Sequence, residues 1–244
     1  MKKWYSLIDK IYRKENLELA FKRVKRNNGA PGIDGETVSD FVDKIDLNIE
    51  FLHERLKTNE YVPSPVKRVE IEKPDGGTRL LGIPTVKDRV VQQAIVNIIE
   101  PIFDPTFHPS SYGYRPKHSQ HQAVAKAERF MNKYGLEHVV DMDLSKCFDT
   151  LDHEIIMGAV SELISDGRVL DLIRKFLKSG VMHRDNFSET EVGSPQGGVI
   201  SPLISNIYLN QFDQKMMSKG VRIVLLEDMI LTSKSYILGH TLRQ

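Results

Sequence analysis

Two carboxylates stand two residues apart at the end of an apolar stretch, Asp141 and Asp143 in the segment VVDMDLSKCFDTLDH. In a β-strand, residues at this spacing lie on one face of the sheet because side chains alternate with a period of two. Two acids on one face repel each other unless water or a metal surrounds them, and Mg²⁺ binds through one or two carboxylates plus waters. The pair therefore indicates either a metal-holding strand or an ordinary strand end with solvated acids.

Three further stretches carry residue types that suit a phosphate-rich ligand. KPDGGTR places Lys73 and Arg79 on the two sides of a turn, where both side chains can converge on one anion. GSPQGG includes Gly197 and Gly198, and backbone without side chains permits close approach of a ligand or a base pair. SYGYRP puts two tyrosines beside Arg115, which suits stacking on a nucleic-acid strand. Each stretch also has an ordinary structural explanation. KPDGGTR fits an exposed basic hairpin, GSPQGG fits a plain loop before a helix, and SYGYRP fits core packing.

Hydrophobic periodicity predicts the elements that position these residues. Apolar residues at helical spacing predict helices within the first thirty residues, from about 37 to 57, from 86 onward and over 120–134. Alternation on both sides of PDGG predicts a β-hairpin, and 153–180 is a helical hairpin broken at Asp166-Gly167. This order of elements predicts an α+β fold, with a small sheet covered by helices on one face.

Composition excludes several classes of protein. The 244 residues are 40% hydrophobic and 27% charged, which is typical of a globular protein. The single cysteine, Cys147, excludes an internal disulfide framework and a cysteine-based zinc site. The start of the chain has no apolar signal segment, and no run reaches the roughly 18 apolar residues of a membrane span. We therefore expect a cytoplasmic protein with no membrane partner.

Charge is unevenly distributed although the net charge is only +1. Residues 1–30 contain nine Lys and Arg against three Asp and Glu, whereas residues 31–60 contain three against eight. A basic arm followed by an acidic region indicates one face for a polyanion, or else two solvated amphipathic helices.

Four long motifs stand in the order found in group II intron reverse transcriptases, also called intron maturases. They are RVEIEKPDGGTRLLGIPTVKDRVVQQAI, FHPSSYGYRPKHSQHQAV, VVDMDLSKCFDTLDH and GSPQGGVISPLISNIYLN. The chain resembles that family from about residue 15 to about residue 223, and four ordered motifs are far more specific than one pair of acids. The resemblance implies Mg²⁺-dependent transfer of a nucleotide from a dNTP to a primer 3′-hydroxyl, in a bacterial cell. Its partners would be an RNA template, a DNA primer and intron RNA.

The resemblance also implies a right-hand polymerase with a small antiparallel palm sheet. Its parts would be a basic N-terminal helical extension over 1–60, fingers over 61–135, an incomplete palm over 136–235 and a divergent tail over 236–244. No thumb is expected within this sequence.

Residue roles carry over from the family to matching positions. Asp143 matches the first catalytic aspartate and would bind both Mg²⁺ ions of a two-metal mechanism, with the backbone carbonyl of Leu144. Phe148 matches the ring under the sugar of the incoming nucleotide, which leaves no room for a 2′-hydroxyl. Lys73 and Arg79 match the residues that hold the triphosphate.

The remaining roles concern the template and the loop beside it. Gln196, with Gly197 and Gly198, matches the loop that packs on the templating pair. Arg115 is expected to contact template or primer, and Asp141 has no catalytic role in the family pattern.

The second acidic motif departs from the family. Where Tyr-Ala-Asp-Asp is expected, the chain reads LLEDMILTSKS, so Glu227 and Asp228 are the candidate metal ligands and Asp228 the second catalytic acid. Glutamate is longer by one methylene, and a misplacement of about 1 Å can cost roughly 10²-fold in rate. LLED is then either a weak metal site or a buried strand followed by solvated acids. The second hypothesis is therefore an impaired remnant that binds intron RNA as a splicing factor, and a third is an inert fragment.

Overall fold

Helices surround two small sheets in this computed structural model of the chain. It describes residues 2–72, 76–134, 138–144, 147–184, 186–193, 197–220, 222–227 and 234–240. The helices are α1 (Ile8–Ile11), α2 (Lys14–Asn27), α3 (Val38–Asp43), α4 (Ile45–Lys57), α5 (Val86–Phe103), α6 (Gln120–Tyr134), α7 (Cys147–Thr150), α8 (His153–Ser161), α9 (Gly167–Leu177) and α10 (Ser201–Ser218). The strands are β1 (Val66–Glu72), β2 (Thr78–Ile83), β3 (His138–Asp143), β4 (Val181–His183), β5 (Asn186–Ser188), β6 (Arg222–Glu227) and β7 (Lys234–His240).

The acidic region after the basic arm forms two helices where the periodicity predicts one. A capping box between Thr37 and Asp40 starts α3, because each side chain accepts a hydrogen bond from the other residue's backbone N–H. Lys44 then leaves helical geometry, with φ −124° and ψ 28°, and α4 begins directly after it. Phe41 and Ile49 are buried on either side of the break, so the apolar stripe continues although the helix does not.

The first sheet has four strands in the order β2-β1-β4-β5. The predicted hairpin is confirmed, since β1 and β2 pair antiparallel from Lys67 opposite Ile83 to Glu72 opposite Thr78. β4 then adds parallel to β1, and β5 adds antiparallel to β4. The β4–β5 hairpin was not predicted, because its strands are three residues long and its turn uses Arg184 at φ 48° in place of a glycine.

The second sheet is antiparallel, with the order β3-β7-β6. Its middle strand is the last one in the sequence, and residues 236–240, which the resemblance assigns to a divergent tail, form most of it. A small apolar cluster joins the sheet to α6 and consists of Ala123, Ala127, Phe130 and Val224. The expected small antiparallel sheet covered by helices is therefore present, in addition to the mixed sheet of the first hairpin.

One continuous core joins the N-terminal helices to the later ones. Leu17 on α2, Ile95 on α5, Ile156 on α8 and Ile204 on α10 are all fully buried within it. Burial of apolar surface is the main favourable term in folding, so the N-terminal extension is part of the folded unit. Across the described residues, no helix combines the length and the apolar character that a membrane crossing requires.

Candidate active site

β3 ends at the acidic residue on which the metal prediction depends. Asp143 pairs with Ser235 of β7 at the last position of the strand. The chain then leaves the sheet at Leu144, which is exposed, and Phe148 follows on α7, where it is 6% exposed. Asp143 and Phe148 therefore lie at the two ends of one strand-to-helix connection, on β3 and α7.

The second acidic segment reaches the same end of this sheet. Glu227 is the last residue of β6 and pairs with Lys234 of β7, one position from the Asp143–Ser235 pair. Because β7 lies between β3 and β6, the two outer backbones are separated by two strand spacings, about 10 Å. Asp228 lies outside the described residues.

The donors expected at this sheet end are oxygen atoms of the kind that Mg²⁺ takes. Carboxylates and a backbone carbonyl, completed by water, suit its octahedral coordination. The register brings the strand positions of Asp143 and Glu227 to the same end of the sheet, one position apart, and the donor chemistry fits the ion. Among the described residues, no group of three or more His, Cys, Asp or Glu is arranged to hold a metal ion.

The hairpin of the first sheet carries the residues expected to hold a triphosphate. Arg79 lies near the start of β2, where its backbone pairs with Ile71. Lys73 lies outside the described residues. The hairpin thus places the Arg79 position on the strand that also contains Gly82, and Gly82 is the point of contact with the GSPQGG loop.

Two glycines of the GSPQGG loop lie against other parts of the chain, Gly193 against α7 and Gly197 against β2. Gly193 has φ 86°, and a Cβ at this position would lie 2.7 Å from the carbonyl oxygen of Asp149. Gly197 has φ 101°, and a Cβ there would collide with the carbonyl oxygen of Gly82 on β2. Positive φ and close backbone approach both require glycine. Gln196 lies between them, outside the described residues.

Helix α5 supports both the loop and the hairpin through buried polar side chains. Gln92, 5% exposed, accepts a hydrogen bond from the backbone N–H of Ile200 at 3.3 Å, just after the loop. Asp88, 2% exposed, accepts from the Tyr61 hydroxyl at 2.7 Å and from the Ser64 N–H at 3.2 Å, just before β1. Polar groups at these depths are stable only when paired, so α5 holds both segments in one geometry.

Burial shifts the pKa values of both Asp88 and its partner Tyr61. Burial raises the pKa of the Asp88 carboxyl, and its hydrogen bonds from Thr85, Tyr61 and Ser64 oppose that rise. Burial, with the negative charge of Asp88 beside it, raises the pKa of Tyr61 well above its ordinary value. Tyr61 therefore stays a neutral donor to Asp88 across the physiological pH range.

Arg115, expected to contact template or primer, is engaged within the protein. Its side chain is 7% exposed, and its Nε lies 2.7 Å from a carboxylate oxygen of Asp104. Its other nitrogens donate to the carbonyl oxygens of His108, Ser111 and Asp104. Four of its five N–H groups are thus used within the protein, where they close the FHPSSYGYRP loop. The expected contact with template or primer stays a prediction.

Sequence reasoning did not single out several residues that shape the site. Gln92 holds the segment after the loop, and Asn206 of α10 donates from Nδ2 to the Gly113 carbonyl oxygen at 3.0 Å. His153 bonds to the Gly193 carbonyl oxygen at 2.6 Å. A polar residue within an apolar stretch was the available signal for Asn206, whereas the partners of Gln92 and His153 are 108 and 40 residues away in the chain.

An acidic strand end in an antiparallel sheet, beside a second sheet with a basic hairpin, is the palm and fingers arrangement of right-hand polymerases. The family model for reverse transcriptase, the RNA-dependent DNA polymerase, matches residues 71–238. The chain belongs to the reverse transcriptase family.

The relatives include intron-encoded proteins. The chain is 41% identical over 187 residues to protein YkfC of Escherichia coli K12, which covers 75% of this chain and 49% of that protein. It is 36% identical over 199 residues to the group II intron-encoded protein LtrA of Lactococcus lactis subsp. cremoris, which covers 80% of this chain and 32% of LtrA. The chain therefore spans about half or less of the length of these relatives.

A solved structure, titled a partial Cas6-RT-Cas1–Cas2 complex, shares the fold. The alignment has a TM-score of 0.59 at 21% identity and covers 98% of this chain and 39% of that one. At this identity the likeness extends to the fold alone, and it agrees with the family assignment.

Proposed function

We propose that this chain is the fingers and palm core of an RNA-directed DNA polymerase of the group II intron type. The observation that supports it best is the GSPQGG loop, in which Gly193 lies against Asp149 of α7, the helix that carries Phe148, and Gly197 lies against Gly82 of the fingers strand β2. A polymerase needs these three parts at one point, because the base pair, the sugar and the triphosphate of one nucleotide must be held together.

The reaction would be phosphoryl transfer, in which a primer 3′-hydroxyl attacks the α-phosphate of a dNTP and pyrophosphate leaves. Asp143, the backbone carbonyl of Leu144 and the acids at 227–228 would hold Mg²⁺. When bound, Mg²⁺ would neutralise phosphate charge and lower the pKa of the attacking hydroxyl. Lys73 and Arg79 would orient the triphosphate, Phe148 would select against a 2′-hydroxyl, and Gln196 with Gly197 and Gly198 would pack on the templating pair.

Primer extension on poly(rA)/oligo(dT) with Mg²⁺ tests this function. We expect Asp143→Asn to lower incorporation by at least roughly 10²-fold, since it removes a charge that acts on the transferring phosphate. Asp141→Asn is the matched control, because it makes the same change two residues earlier in β3 and Asp141 has no role in the reaction. A folded wild-type sample that incorporates no dTMP, or an Asp143→Asn variant as active as wild type, would contradict the proposal.

A second candidate function is binding of intron RNA without catalysis, and the charge on α2 favours it. Lys14 is paired with Glu50, and Arg23 donates to Asn97. Lys22, Lys25 and Arg26 are exposed, and within the described residues they form no ion pair. Exposed cations along one helix suit contact with phosphates.

Salt dependence of RNA binding tests this candidate. Replacing Lys22, Lys25 and Arg26 with Gln should weaken binding and reduce the slope of log affinity against log salt by about 0.7 per lost single-strand contact. Replacing the exposed Lys117, Lys133 and Lys178 with Gln removes the same charge away from α2 and is the control. Equal losses in both triple variants would show that only net charge matters.

A further inference from the structure

His153 is a buried polar residue that the proposed reaction does not use. It is the first residue of α8 and is 5% exposed. Its Nε2 lies 2.6 Å from the carbonyl oxygen of Gly193, the first residue of the GSPQGG loop. A carbonyl oxygen only accepts hydrogen bonds, so Nε2 carries the proton and donates.

A second bond joins the same two segments. The backbone N–H of Gly193 donates to the carbonyl oxygen of Leu151 at 2.7 Å. The α-carbon of Gly193 packs against the backbone of Asp149, where a Cβ would collide. Both polar groups of the Gly193 peptide backbone are therefore bonded to residues 151–153. These residues follow directly from Phe148 and α7.

The far end of the loop is held by different elements. Gly197 lies against Gly82 of β2, and the N–H of Ile200 is bonded to Gln92 of α5. The loop thus has one attachment to the fingers side and one to the palm side. His153 is the side chain that makes the palm-side attachment.

We propose that His153 is a positioning residue, which fixes the start of the GSPQGG loop against the segment carrying Asp143 and Phe148. The effect of this positioning on nucleotide binding rests on the proposed polymerase function. The expected consequence is that Gln196 is held against the templating pair while the incoming nucleotide binds. Without the His153 bond, the start of the loop keeps the backbone hydrogen bond from Gly193 to Leu151.

Hydrogen exchange measures the attachment without any need for activity. His153→Leu removes the donor and keeps an apolar volume, and it should raise exchange in peptides covering Gly193 about tenfold, the effect of one lost buried hydrogen bond. His153→Gln keeps a side-chain N–H at similar reach and should restore slow exchange. His53→Leu is the matched control, because His53 also bonds a backbone carbonyl oxygen, that of Tyr12 at 2.8 Å, far from the loop.

The same variants separate positioning from a general loss of stability. In primer extension, His153→Leu should raise the KM for dNTP and lower the preference for matched over mismatched dNTP, each by about tenfold if one hydrogen bond is lost, and His153→Gln should recover both. Unchanged exchange at Gly193 in a folded His153→Leu sample would overturn the proposal. So would altered exchange with an unchanged KM and fidelity in an active enzyme. If wild type incorporates nothing, the polymerase function fails, and the exchange result still decides whether His153 holds the loop.

Discussion

At the scale of single residues, Phe148 is the aromatic residue predicted to select dNTP over rNTP. It lies five residues after Asp143 and is 6% exposed. A ring packed this closely has a fixed position, and a fixed ring can exclude an extra hydroxyl from the sugar above it. The selectivity proposed for Phe148 would thus depend on rigidity as well as on size.

Replacing this ring with a smaller side chain should weaken the preference for deoxyribose over ribose in the incoming nucleotide. We expect Phe148→Val to raise the kcat/KM for rNTP relative to dNTP by roughly 10- to 100-fold, because space for the 2′-hydroxyl opens. Single-nucleotide extension with ribothymidine triphosphate and with dTTP measures this ratio. Phe107→Val is the control, since Phe107 is also 6% exposed and lies in a different segment. An unchanged ratio in Phe148→Val would remove the sugar filter from the proposed mechanism.

Arg115 shows how one residue type can fit two different roles. An arginine beside two tyrosines fits nucleic-acid binding, and in the structure its guanidinium is used by Asp104 and by three carbonyl oxygens. The same fork of donors suits phosphate and a cluster of backbone carbonyls. Its partner Asp104 lies eleven residues earlier in the chain, and the contact with template or primer stays a prediction.

At the scale of elements, Asp166 joins two helices that are far apart in the sequence. One carboxylate oxygen accepts from the N–H groups of Leu7 and Ile8 at the start of α1, at 2.7 and 2.9 Å. The other accepts from Arg168 and Val169 in the first turn of α9, at 3.1 and 3.3 Å. A single side chain therefore caps two helix starts.

Loss of this carboxylate should be costly for the fold. We expect Asp166→Ala to lower the free energy of unfolding by about 2–4 kcal/mol, since one cap is lost and further backbone N–H groups become unpaired. Asp152→Ala is the control, because Asp152 caps α8 alone, through Glu154 and Ile155, and should cost about 1 kcal/mol. Urea denaturation measures both, and equal losses would show that the bonds to α1 contribute nothing.

The same carboxylate gives stability a dependence on pH. Burial alone would raise the pKa of Asp166, but the four backbone N–H donors together lower it below its ordinary value of 3.8. A lowered pKa in the folded state means that the stabilisation is complete above the unfolded pKa and is lost as pH falls below it. The difference in stability between wild type and Asp166→Ala should therefore be constant near neutral pH and shrink below pH 3.8. A difference that persists at lower pH would assign the effect to packing.

At the scale of the whole molecule, the continuous core predicts one cooperative transition. Trp4, the single tryptophan, lies in the N-terminal segment and is bonded through its backbone to Leu163 and Ser165. Its fluorescence therefore reports on the docking of that segment onto the turn between α8 and α9. We expect urea unfolding followed by Trp4 fluorescence and by far-UV circular dichroism to have one midpoint. An earlier fluorescence midpoint would show that the segment around Trp4 detaches before the core unfolds.

The sequence alone determined most of the local structure and the candidate catalytic segment. Periodicity gave α6 over 120–134, the hairpin around PDGG and the break between α8 and α9, because each depends on residues close together in the chain. The motif around Asp143 was likewise readable, since its spacing to Phe148 lies within one segment. The break at Lys44 was not, because the apolar stripe continues through it.

Tertiary structure alone decided which distant segments meet. Pairing placed β7 between β3 and β6 and added β4 parallel to β1, and such contacts have no local signature when the strands are short. It also gave Arg115 an internal partner and brought His153 to Gly193. Hydrogen bonds between residues 40 or more positions apart depend on how the whole chain folds, because each buried polar group must find its partner within the packed structure.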